Sequence, residues 1–151
     1  MAQMNLRPAE IDDLDFVRAC ARSAYSLYVE RIGKEPAPMV ADFASALAQS
    51  QLEILQANDR PIGFLVSYSQ QDHLFVENVA IDPQHQGNGY GGAVFALLEA
   101  RTKARGLAAI ELYTNEKMTE NLAFYPRLGF NEIDRRTEAG FNRVYFRKNL
   151  D

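Results

Sequence analysis

The sequence predicts an α/β fold with a mixed, mostly antiparallel sheet of six to seven strands and about four helices. Three observations support this class. Strand and helix patterns alternate through the middle of the chain, pairs of strand patterns separated by short turns occur on both sides of that region, and a glycine-rich loop joins one strand to one helix. A chain of 151 residues is expected to form a single domain over 1–151.

The first third of the chain is expected to contain one strand and two helices. The strand covers residues 5–7 and their neighbours and ends at Pro8. A helix over about 10–22 follows, because apolar residues recur on one helical face: Ile11, Leu14, Val17 and Ala21. Residues 25–39 are expected to be irregular, because they include three residues that break regular structure: Gly33, Pro36 and Pro38. A second helix is predicted over about 38–49.

The remaining elements follow from apolar alternation, helical periodicity and turn residues. In chain order they are strands over 52–57, 61–69 and 73–81, a helix over 90–105, a strand over 108–113, a helix over 119–128, and strands over 129–136 and 141–149. Asn58-Asp59 would close the first hairpin and residues 138–140 the last one, while Gly106 would end the third helix.

Composition and charge narrow the classes of partner and compartment. The chain has 16 basic and 20 acidic residues and a formal net charge of −4, which argues against nucleic acid as the main partner. The single cysteine, Cys20, lies on the apolar helix face and is expected in the core. We see no signal-peptide pattern and no membrane-spanning run, so we expect a cytoplasmic protein without a membrane partner. His73 and His85 are isolated, so no metal site is expected.

The most informative segment runs from Val79 to Gly92, with the sequence VAIDPQHQGNGYGG. A strand enters a proline-containing turn, and a glycine-rich loop then leads into a helix. Glycine lets the main chain approach a bulky ligand, and the free N–H groups of the loop and first helical turn favour an anion. The segment lacks the Gly-Lys-Ser/Thr ending of a Walker loop and the G-x-G-x-x-G spacing of a dinucleotide fold. It therefore predicts a site for a different phosphate-bearing cofactor.

Two motifs resemble those of the GNAT N-acetyltransferase superfamily. The first, Gln86-x-x-Gly89-x-Gly91 after Val-Ala-Ile-Asp-Pro, resembles the family's acetyl-CoA pyrophosphate loop. The second, NLAFYPRLGF over residues 121–130, resembles its Ala-x-x-Tyr-x-x-x-Gly-Phe helix-to-strand segment. The resemblance covers roughly residues 62–147. It implies the GNAT (acyl-CoA N-acyltransferase) fold and the transfer of an acetyl group from acetyl-CoA to a primary amine.

The resemblance also implies a cofactor site built mainly from main-chain groups. The loop N–H groups would hold the pyrophosphate with help from the Gln86 side chain, and Val79 and Ile81 would offer backbone groups to the pantetheine arm. An N–H left unpaired where the strand splays would face the thioester oxygen. The expected cofactor-binding residues are Val79, Ala80, Ile81, Gln86, Gly87, Asn88, Gly89, Tyr90, Gly91, Gly92, Asn115, Asn121, Phe124 and Tyr125. The alternative for Asn115 is a turn residue, and for Asn121 a residue of the first helical turn.

Two catalytic residues are expected. By the resemblance, Tyr125 would face the thioester sulfur, where its phenol could donate a proton or a hydrogen bond to the departing thiolate. Glu77, on the same strand face as Val79, could accept the amine proton directly or through water, and Glu111 on the neighbouring strand is the alternative base. Pro126 should bend or end the helix at Tyr125.

The acceptor would be a small-molecule or peptide amine. By the resemblance, the segment after the first helix walls the acceptor pocket, and the expected substrate-binding residues there are Tyr25, Tyr28 and Arg31, with Glu30 and Lys34 nearby. The last strand could form the opposite wall or a homodimer surface, through Asn142, Arg143 and Tyr145. Two other functions stay open, a catalytically silent CoA-binding regulatory module and an unrelated nucleotide-binding domain.

Overall fold

The computed structural model describes residues 4–151, which contain seven strands and five α-helices. In chain order the elements are β1 (Met4–Pro8), α1 (Leu14–Tyr25), α2 (Tyr28–Ile32), α3 (Phe43–Ala48), β2 (Leu52–Ala57), β3 (Arg60–Gln70), β4 (His73–Ile81), α4 (Tyr90–Ala104), β5 (Ala109–Asn115), α5 (Thr119–Arg127), β6 (Asn131–Glu138) and β7 (Phe141–Asn149). Short 3₁₀ turns precede α1, α3 and α4, at Ile11–Asp13, Ala37–Val40 and Pro83–His85.

The seven strands form one mixed sheet in the order β1-β2-β3-β4-β5-β7-β6. The pairs β1–β2, β2–β3, β5–β7 and β6–β7 are antiparallel, whereas β4 and β5 are parallel. The predicted fold class, a mixed and mostly antiparallel sheet with helices, is confirmed. The hairpin turns at Asn58-Asp59 and Ala139-Gly140 each contain two residues with positive φ, which is the geometry that tight antiparallel turns require.

The chain divides into two compact units, which are described separately. The first consists of the chain up to Ser67 together with Asn78–Phe95. Its core lies where α1 and α3 pack against β2 and β3, and the buried side chains include Val17, Cys20, Ala21, Phe43, Leu52, Ile54, Phe64 and Val66. The prediction that Cys20 belongs to the core is confirmed, and burial raises the pKa of its thiol to about 12.

The second unit consists of Tyr68–Glu77 and Ala96–Asp151. Strand β5 pairs with β4 on one side and with β7 on the other. Because side chains alternate along a strand, Ile110 and Leu112 face one side of β5, whereas Glu111 and Tyr113 face the other. The apolar core of this unit includes Leu74, Val76, Leu98, Ile110, Leu112, Phe130, Val144 and Phe146.

The first predicted helix begins later than expected. Residues 11–13 form the 3₁₀ turn, and α1 starts at Leu14. Asp13 ends that turn by binding Arg7 through two hydrogen bonds of 2.8 and 2.9 Å and by accepting the Glu10 N–H at 2.8 Å. Ile11 is 76% exposed, so the prediction that it lies on the buried face is wrong.

The second predicted helix, over 38–49, is divided into two pieces. The 3₁₀ turn ends at Val40, and α3 begins at Phe43. Asp42 starts this new helix by accepting the Ser45 N–H at 3.0 Å, as N-terminal capping residues do. The stretch predicted to be irregular contains one short helix, α2, which ends at Gly33 with a φ of 86°.

Candidate active site

At Gly63, strand β3 approaches β4 more closely than a side chain at that position would allow. A Cβ atom added at Gly63 would lie 2.2 Å from the carbonyl oxygen of Ala80. At the same place the Asp82 N–H donates a hydrogen bond to the Ile62 carbonyl at 2.7 Å. Only glycine therefore fits position 63 without a shift of the β4 main chain. Sequence reasoning missed Gly63, although a glycine inside a strand is itself a signal of close backbone approach.

The β4 main chain is also held from α1. Tyr25, the last residue of α1, donates its hydroxyl to the Val79 carbonyl at 2.9 Å. The sequence predicts that Tyr25 binds the acceptor substrate and that Val79 binds the cofactor. The structure brings these two residues into contact. A carbonyl oxygen has two lone pairs, so the Val79 carbonyl can accept a second hydrogen bond.

The glycine-rich loop is shaped by its own side chains. Asp82 accepts the Gln84 N–H at 3.0 Å, the Gln86 amide donates to the Ile81 carbonyl at 2.9 Å, and the Asn88 amide donates to the His85 carbonyl at 3.2 Å. The Gln86 amide thus ties the loop to the end of β4, and the Asn88 amide ties it to the preceding 3₁₀ turn. Gly87 and Gly89 have φ values of 82° and 81°, a conformation that strongly favours glycine.

The N-terminus of α4 adds further donors. The first hydrogen bond of α4 runs from the Ala93 N–H to the Gly89 carbonyl at 3.1 Å. The N–H groups of Tyr90, Gly91 and Gly92 precede it and have no partner within the helix. Together with the helix dipole, such groups bind phosphate and other anions. The Gln86 N–H donates to the Pro83 carbonyl at 3.3 Å, so the continuous set of main-chain donors among the predicted cofactor-binding residues runs from Gly87 to Gly92.

In the second unit, Glu77 lies near two tyrosine hydroxyls. Burial, together with the negative charge of Glu77, raises the pKa of Tyr68 to about 12. Burial also raises the pKa of Tyr113, where Arg143 opposes the shift and Glu77 adds to it. Glu77 can therefore accept hydrogen bonds from neutral phenols. Neither Tyr68 nor Tyr113 is a residue that sequence reasoning identified, because neither belongs to a motif.

These two tyrosines belong to an aromatic row that crosses four strands. The ring centroids of Tyr68 and Phe75 are 5.7 Å apart, those of Phe75 and Tyr113 5.9 Å, and those of Tyr113 and Tyr145 5.6 Å. Arg143 lies 4.3 Å from the centroid of the Tyr113 ring, within the range of a cation–π contact. Phe75 and Tyr145 are buried in this row, whereas Tyr68 and Tyr113 are half-buried.

Glu111, the alternative base, is already bound by other side chains of the protein. Its carboxylate accepts a hydrogen bond of 2.7 Å from Arg147, which also binds Asp72 at 3.0 Å. His73 is buried between the same two acids, with its Nδ1 atom 3.1 Å from Asp72 and its Nε2 atom 3.6 Å from Glu111. The expectation that His73 is isolated is therefore wrong. These contacts favour Glu77 over Glu111 as the base, since Glu111 already neutralises a cation.

Tyr125 is buried in an aromatic cluster of the second unit. Its ring centroid lies 5.3 Å from that of Phe124, 5.7 Å from that of Phe130 and 5.8 Å from that of Phe146. These ring contacts hold the Tyr125 side chain in one orientation, and its hydroxyl is the only polar group of the side chain.

Of the two effects predicted for Pro126, a bend or an end of the helix at Tyr125, the end at Tyr125 is wrong. Helix α5 continues through Pro126 to Arg127. The N–H groups of Leu128 and Phe130 donate to the Tyr125 carbonyl at 3.0 and 3.1 Å. Pro126 thus lies in the last turn of the helix, where its missing N–H removes one helical hydrogen bond and only Arg127 follows it in the helix.

Asn115 and Asn121 both organise the turn between β5 and α5. Asn115 accepts the Lys117 N–H at 2.9 Å, and Asn121 donates to the Thr114 hydroxyl at 3.1 Å. These contacts agree with the structural alternative for each residue. Cofactor contact by either amide would have to use its remaining hydrogen-bonding capacity.

The predicted acceptor residues Tyr28 and Arg31 contact each other. Tyr28 is 8% exposed, and the Arg31 guanidinium lies 5.1 Å from its ring centroid. One face of this ring is therefore covered by a cation of the chain itself. An acceptor amine would have to displace Arg31 to bind the same face.

The predicted wall on β7 is also internally bonded. The Tyr145 hydroxyl donates to the Glu138 carboxylate, and Arg143 lies 3.5 Å from the same acid. Asn142 donates to Glu116 at 3.0 Å. The role of Asn142, Arg143 and Tyr145 in acceptor binding stays a prediction.

Two general findings complete the description of residues 4–151. No cluster of three His, Cys, Asp or Glu side chains in this range is arranged to hold a metal ion. No helix in the same range combines the length and apolar character needed to cross a membrane.

Comparisons with known proteins give consistent results. A [Ribosomal protein bS18]-alanine N-acetyltransferase from Haemophilus influenzae is 32% identical over 77 residues, covering 51% of this chain and 52% of that protein. The protein of the same name from Escherichia coli K12 is 31% identical over 91 residues, covering 60% of this chain and 62% of that protein. The chain thus spans little more than half the length of these curated relatives.

A solved structure agrees over nearly the whole chain. The PaiA N-acetyltransferase from Thermoplasma acidophilum, in complex with coenzyme A, superimposes with a TM-score of 0.80 at 17% identity, covering 98% of this chain and 99% of that one. This likeness establishes the GNAT fold. The sequence profile of the acetyltransferase (GNAT) family matches residues 17–130. Since that match includes well over half of the sequence and both motifs of the glycine-rich loop and α5, the chain belongs to the acetyltransferase (GNAT) family.

Proposed function

We propose that this chain is an acetyl-CoA-dependent N-acetyltransferase that transfers acetyl to a primary amine by direct attack in a ternary complex. The observation that carries the proposal is the run of main-chain N–H donors from Gly87 to Gly92, which follows the end of β4. The residues fit the donor substrate, because a glycine-rich loop and a helix N-terminus suit a pyrophosphate. The coenzyme A complex of PaiA supports the same ligand.

Acetyl-CoA would supply an activated acetyl thioester. The main-chain N–H groups from Gly87 to Gly92 would bind its pyrophosphate. The edge of β4 at Val79 and Ile81 would align the pantetheine arm by hydrogen bonds of the β type. Gly63 and Tyr25 would support this edge, Gly63 by allowing β3 to approach the Ala80 carbonyl and Tyr25 by binding the Val79 carbonyl.

Glu77 would act as the general base. An alkylammonium group with a pKa near 10.4 is neutral in only about one molecule in two thousand at pH 7. The Glu77 carboxylate would accept the proton of the ammonium group, directly or through water, so that the nitrogen lone pair can attack the acetyl carbon. The neutral phenols of Tyr68 and Tyr113 would orient that carboxylate without competing for the proton.

Tyr125 would assist the leaving group. As the new C–N bond forms and the C–S bond breaks, negative charge passes to sulfur. The Tyr125 hydroxyl would donate a hydrogen bond or its proton to that sulfur, giving the free CoA thiol. After the attack the nitrogen would lose its second proton, which would restore the Tyr125 hydroxyl directly or through water. The proton taken by Glu77 would return to solvent, so that the alkylammonium and acetyl-CoA give the amide, the CoA thiol and one proton.

The acceptor is a small-molecule or peptide amine. The bS18-alanine N-acetyltransferases support a peptide N-terminus as one candidate. They also support cytoplasmic action, because ribosomes are found there. A homodimer through the β7 region remains a separate prediction.

An amine panel tests the proposal. Wild-type protein is mixed with acetyl-CoA and a polyamine, a free amino acid, a peptide with N-terminal alanine or a lysine peptide. Release of CoA thiol is measured, and the acetylated product is identified by mass spectrometry. We expect turnover with at least one amine. Acetyl-CoA binding without turnover of any amine would support the silent regulatory module, and a thermal response to ATP or NAD but not to acetyl-CoA would support an unrelated nucleotide-binding domain.

A further inference from the structure

The β2–β3 hairpin and the glycine-rich loop border a cavity whose side chains have no role in the proposed reaction. Its volume is about 420 Å³, and its lining residues are Ala57, Asn58, Arg60, Ile62, His85 and Tyr90. Ala57 and Ile62 are buried and give the cavity an apolar floor. The other four residues contribute an amide, a guanidinium, an imidazole and a phenol. All of these elements belong to the first compact unit.

Both walls of the cavity are fixed by the main chain. On one side, the tight turn with positive φ at Asn58 and Asp59 separates β2 from Arg60 at the start of β3. On the other side, His85 ends the 3₁₀ turn that Asp82 caps, and Tyr90 is the first residue of α4. The lining groups are therefore presented by two short, well-defined turns.

The cavity is lined by hydrogen-bond donors and by no carboxylate. Within residues 4–151, Arg60 forms no ion pair, in contrast to Arg7, Arg136 and Arg147. Asp82, the acid of the neighbouring turn, accepts the Gln84 N–H. An unpaired guanidinium beside an amide, an imidazole and a phenol suits an anion, and guanidinium groups match phosphate oxygens especially well.

We propose that this cavity is a binding site for a phosphate monoester, in which Arg60 binds the phosphate and His85 and Tyr90 contact the group that carries it. A volume of this size accommodates more than an inorganic ion. Two sources have this chemistry. One is the 3′-phosphate of CoA, in which case the inference rests on the proposed function, and the other is a separate phosphorylated metabolite that binds alongside acetyl-CoA.

Calorimetric titration of three proteins tests the proposal. The wild type is compared with Arg60→Gln, which removes the charge, and with Arg22→Gln, a matched change at an exposed arginine of α1 in the same unit. Each protein is titrated with acetyl-CoA and with acetyl-dephospho-CoA. Each is also titrated with AMP and with inorganic phosphate, both alone and after saturation with acetyl-CoA.

Two results would support the site. If Arg60→Gln loses about tenfold in acetyl-CoA affinity, the scale of one charge-assisted contact, but binds acetyl-dephospho-CoA like the wild type, the phosphate belongs to CoA. If instead the saturated wild type still binds AMP or phosphate and Arg60→Gln loses that binding about tenfold, the ligand is a separate phosphate.

Two other results would overturn it: Arg60→Gln binding every ligand like the wild type, or Arg22→Gln losing as much affinity as Arg60→Gln. A failure of the proposed function would appear differently, as a wild type that does not bind acetyl-CoA at all. The AMP and phosphate titrations would still decide whether the cavity binds a phosphate monoester.

Discussion

The candidate functional groups are main-chain groups in the first compact unit and side chains in the second. In the first unit the relevant groups belong to the main chain, namely the carbonyl of Val79 and the N–H groups from Gly87 to Gly92. The side chains nearby mostly hold this main chain in place, as Tyr25 and Gln86 do. Side-chain identity therefore matters here chiefly through the conformations that it permits.

In the second unit the relevant groups are side chains, and most of its charges are already matched. Arg147 binds Asp72 and Glu111, Arg143 contacts Glu138, and Lys148 binds Glu99. Glu77 differs from these acids, since its described neighbours are the phenols of Tyr68 and Tyr113. A carboxylate that is not committed to a cation is free to accept a proton from a substrate.

Because one unit contributes main-chain groups and the other contributes side chains, the two units should respond differently to substitution. Changes of backbone conformation in the first unit should affect binding of acetyl-CoA. Changes of a single functional group in the second unit should affect the rate of the chemical step and leave that binding intact. The following experiments test this distinction.

The largest effect is expected from Gly89→Val. Valine at a φ of 81° is strained by roughly 1–3 kcal/mol, so the loop should move and acetyl-CoA should no longer raise the melting temperature. The matched control is Gly106→Val, where φ is 79° and an added Cβ likewise meets nothing within 4 Å. It should be equally strained and keep the response. A retained response in Gly89→Val would place the pyrophosphate elsewhere.

Tyr125→Phe should have the next largest effect. The substitution keeps the ring packed against Phe124, Phe130 and Phe146, so stability should change little. If the phenol assists the departing sulfur, kcat should fall by roughly 10- to 1000-fold with unchanged acetyl-CoA affinity. The loss should shrink with a donor whose thiol is more acidic. Full kcat in this variant would exclude the acid role.

Glu77→Gln should lower turnover at neutral pH by about 100-fold, the usual scale for loss of a general base. Raising the pH should recover part of the rate, because more of the amine is already neutral. Glu111→Gln is the paired variant, and it should lower stability by loosening Arg147 while leaving kcat near the wild-type value. The opposite outcome, a slow Glu111→Gln and a normal Glu77→Gln, would reverse the assignment of the base.

The smallest effect is expected for the ion pair between Asp72 and Arg147. Hydrogen bonds from Arg147 and His73 hold the pKa of Asp72 at about 2, below its ordinary 3.8. A carboxyl with a lowered pKa stabilises the fold above its ordinary pKa and loses that contribution as pH falls towards 2. In Arg147→Gln the Asp72 pKa should rise towards its ordinary value, as measured by carboxyl NMR titration. The acetyltransferase activity at neutral pH should not depend on this pair.

The parts that the sequence predicted are those encoded locally. Strands over 52–57, 73–81 and 141–149 follow from alternation and turn residues, and their predicted bounds equal those of β2, β4 and β7. The glycine-rich loop is also local. The sequence did not reveal the pairing of Arg147 with Asp72, because that hydrogen bond joins residues 75 positions apart. The aromatic row was missed for the same reason, since its rings come from four strands.

In a library of single-residue variants, the close approach at Gly63 should determine how much folded protein each variant at that position yields. Every other residue would place a Cβ atom 2.2 Å from the Ala80 carbonyl oxygen, and such overpacking costs about 1–3 kcal/mol or more. In a marginally stable domain, variants at position 63 should be depleted from the pool of folded protein before any assay of activity. Variants at position 89 carry the strain of a positive φ but no Cβ clash, so their abundance should fall less than that of the position 63 variants, and their acetylation should fall more than their abundance. Comparing abundance with activity would thus separate the glycine that shapes the strand from the glycine that serves the ligand.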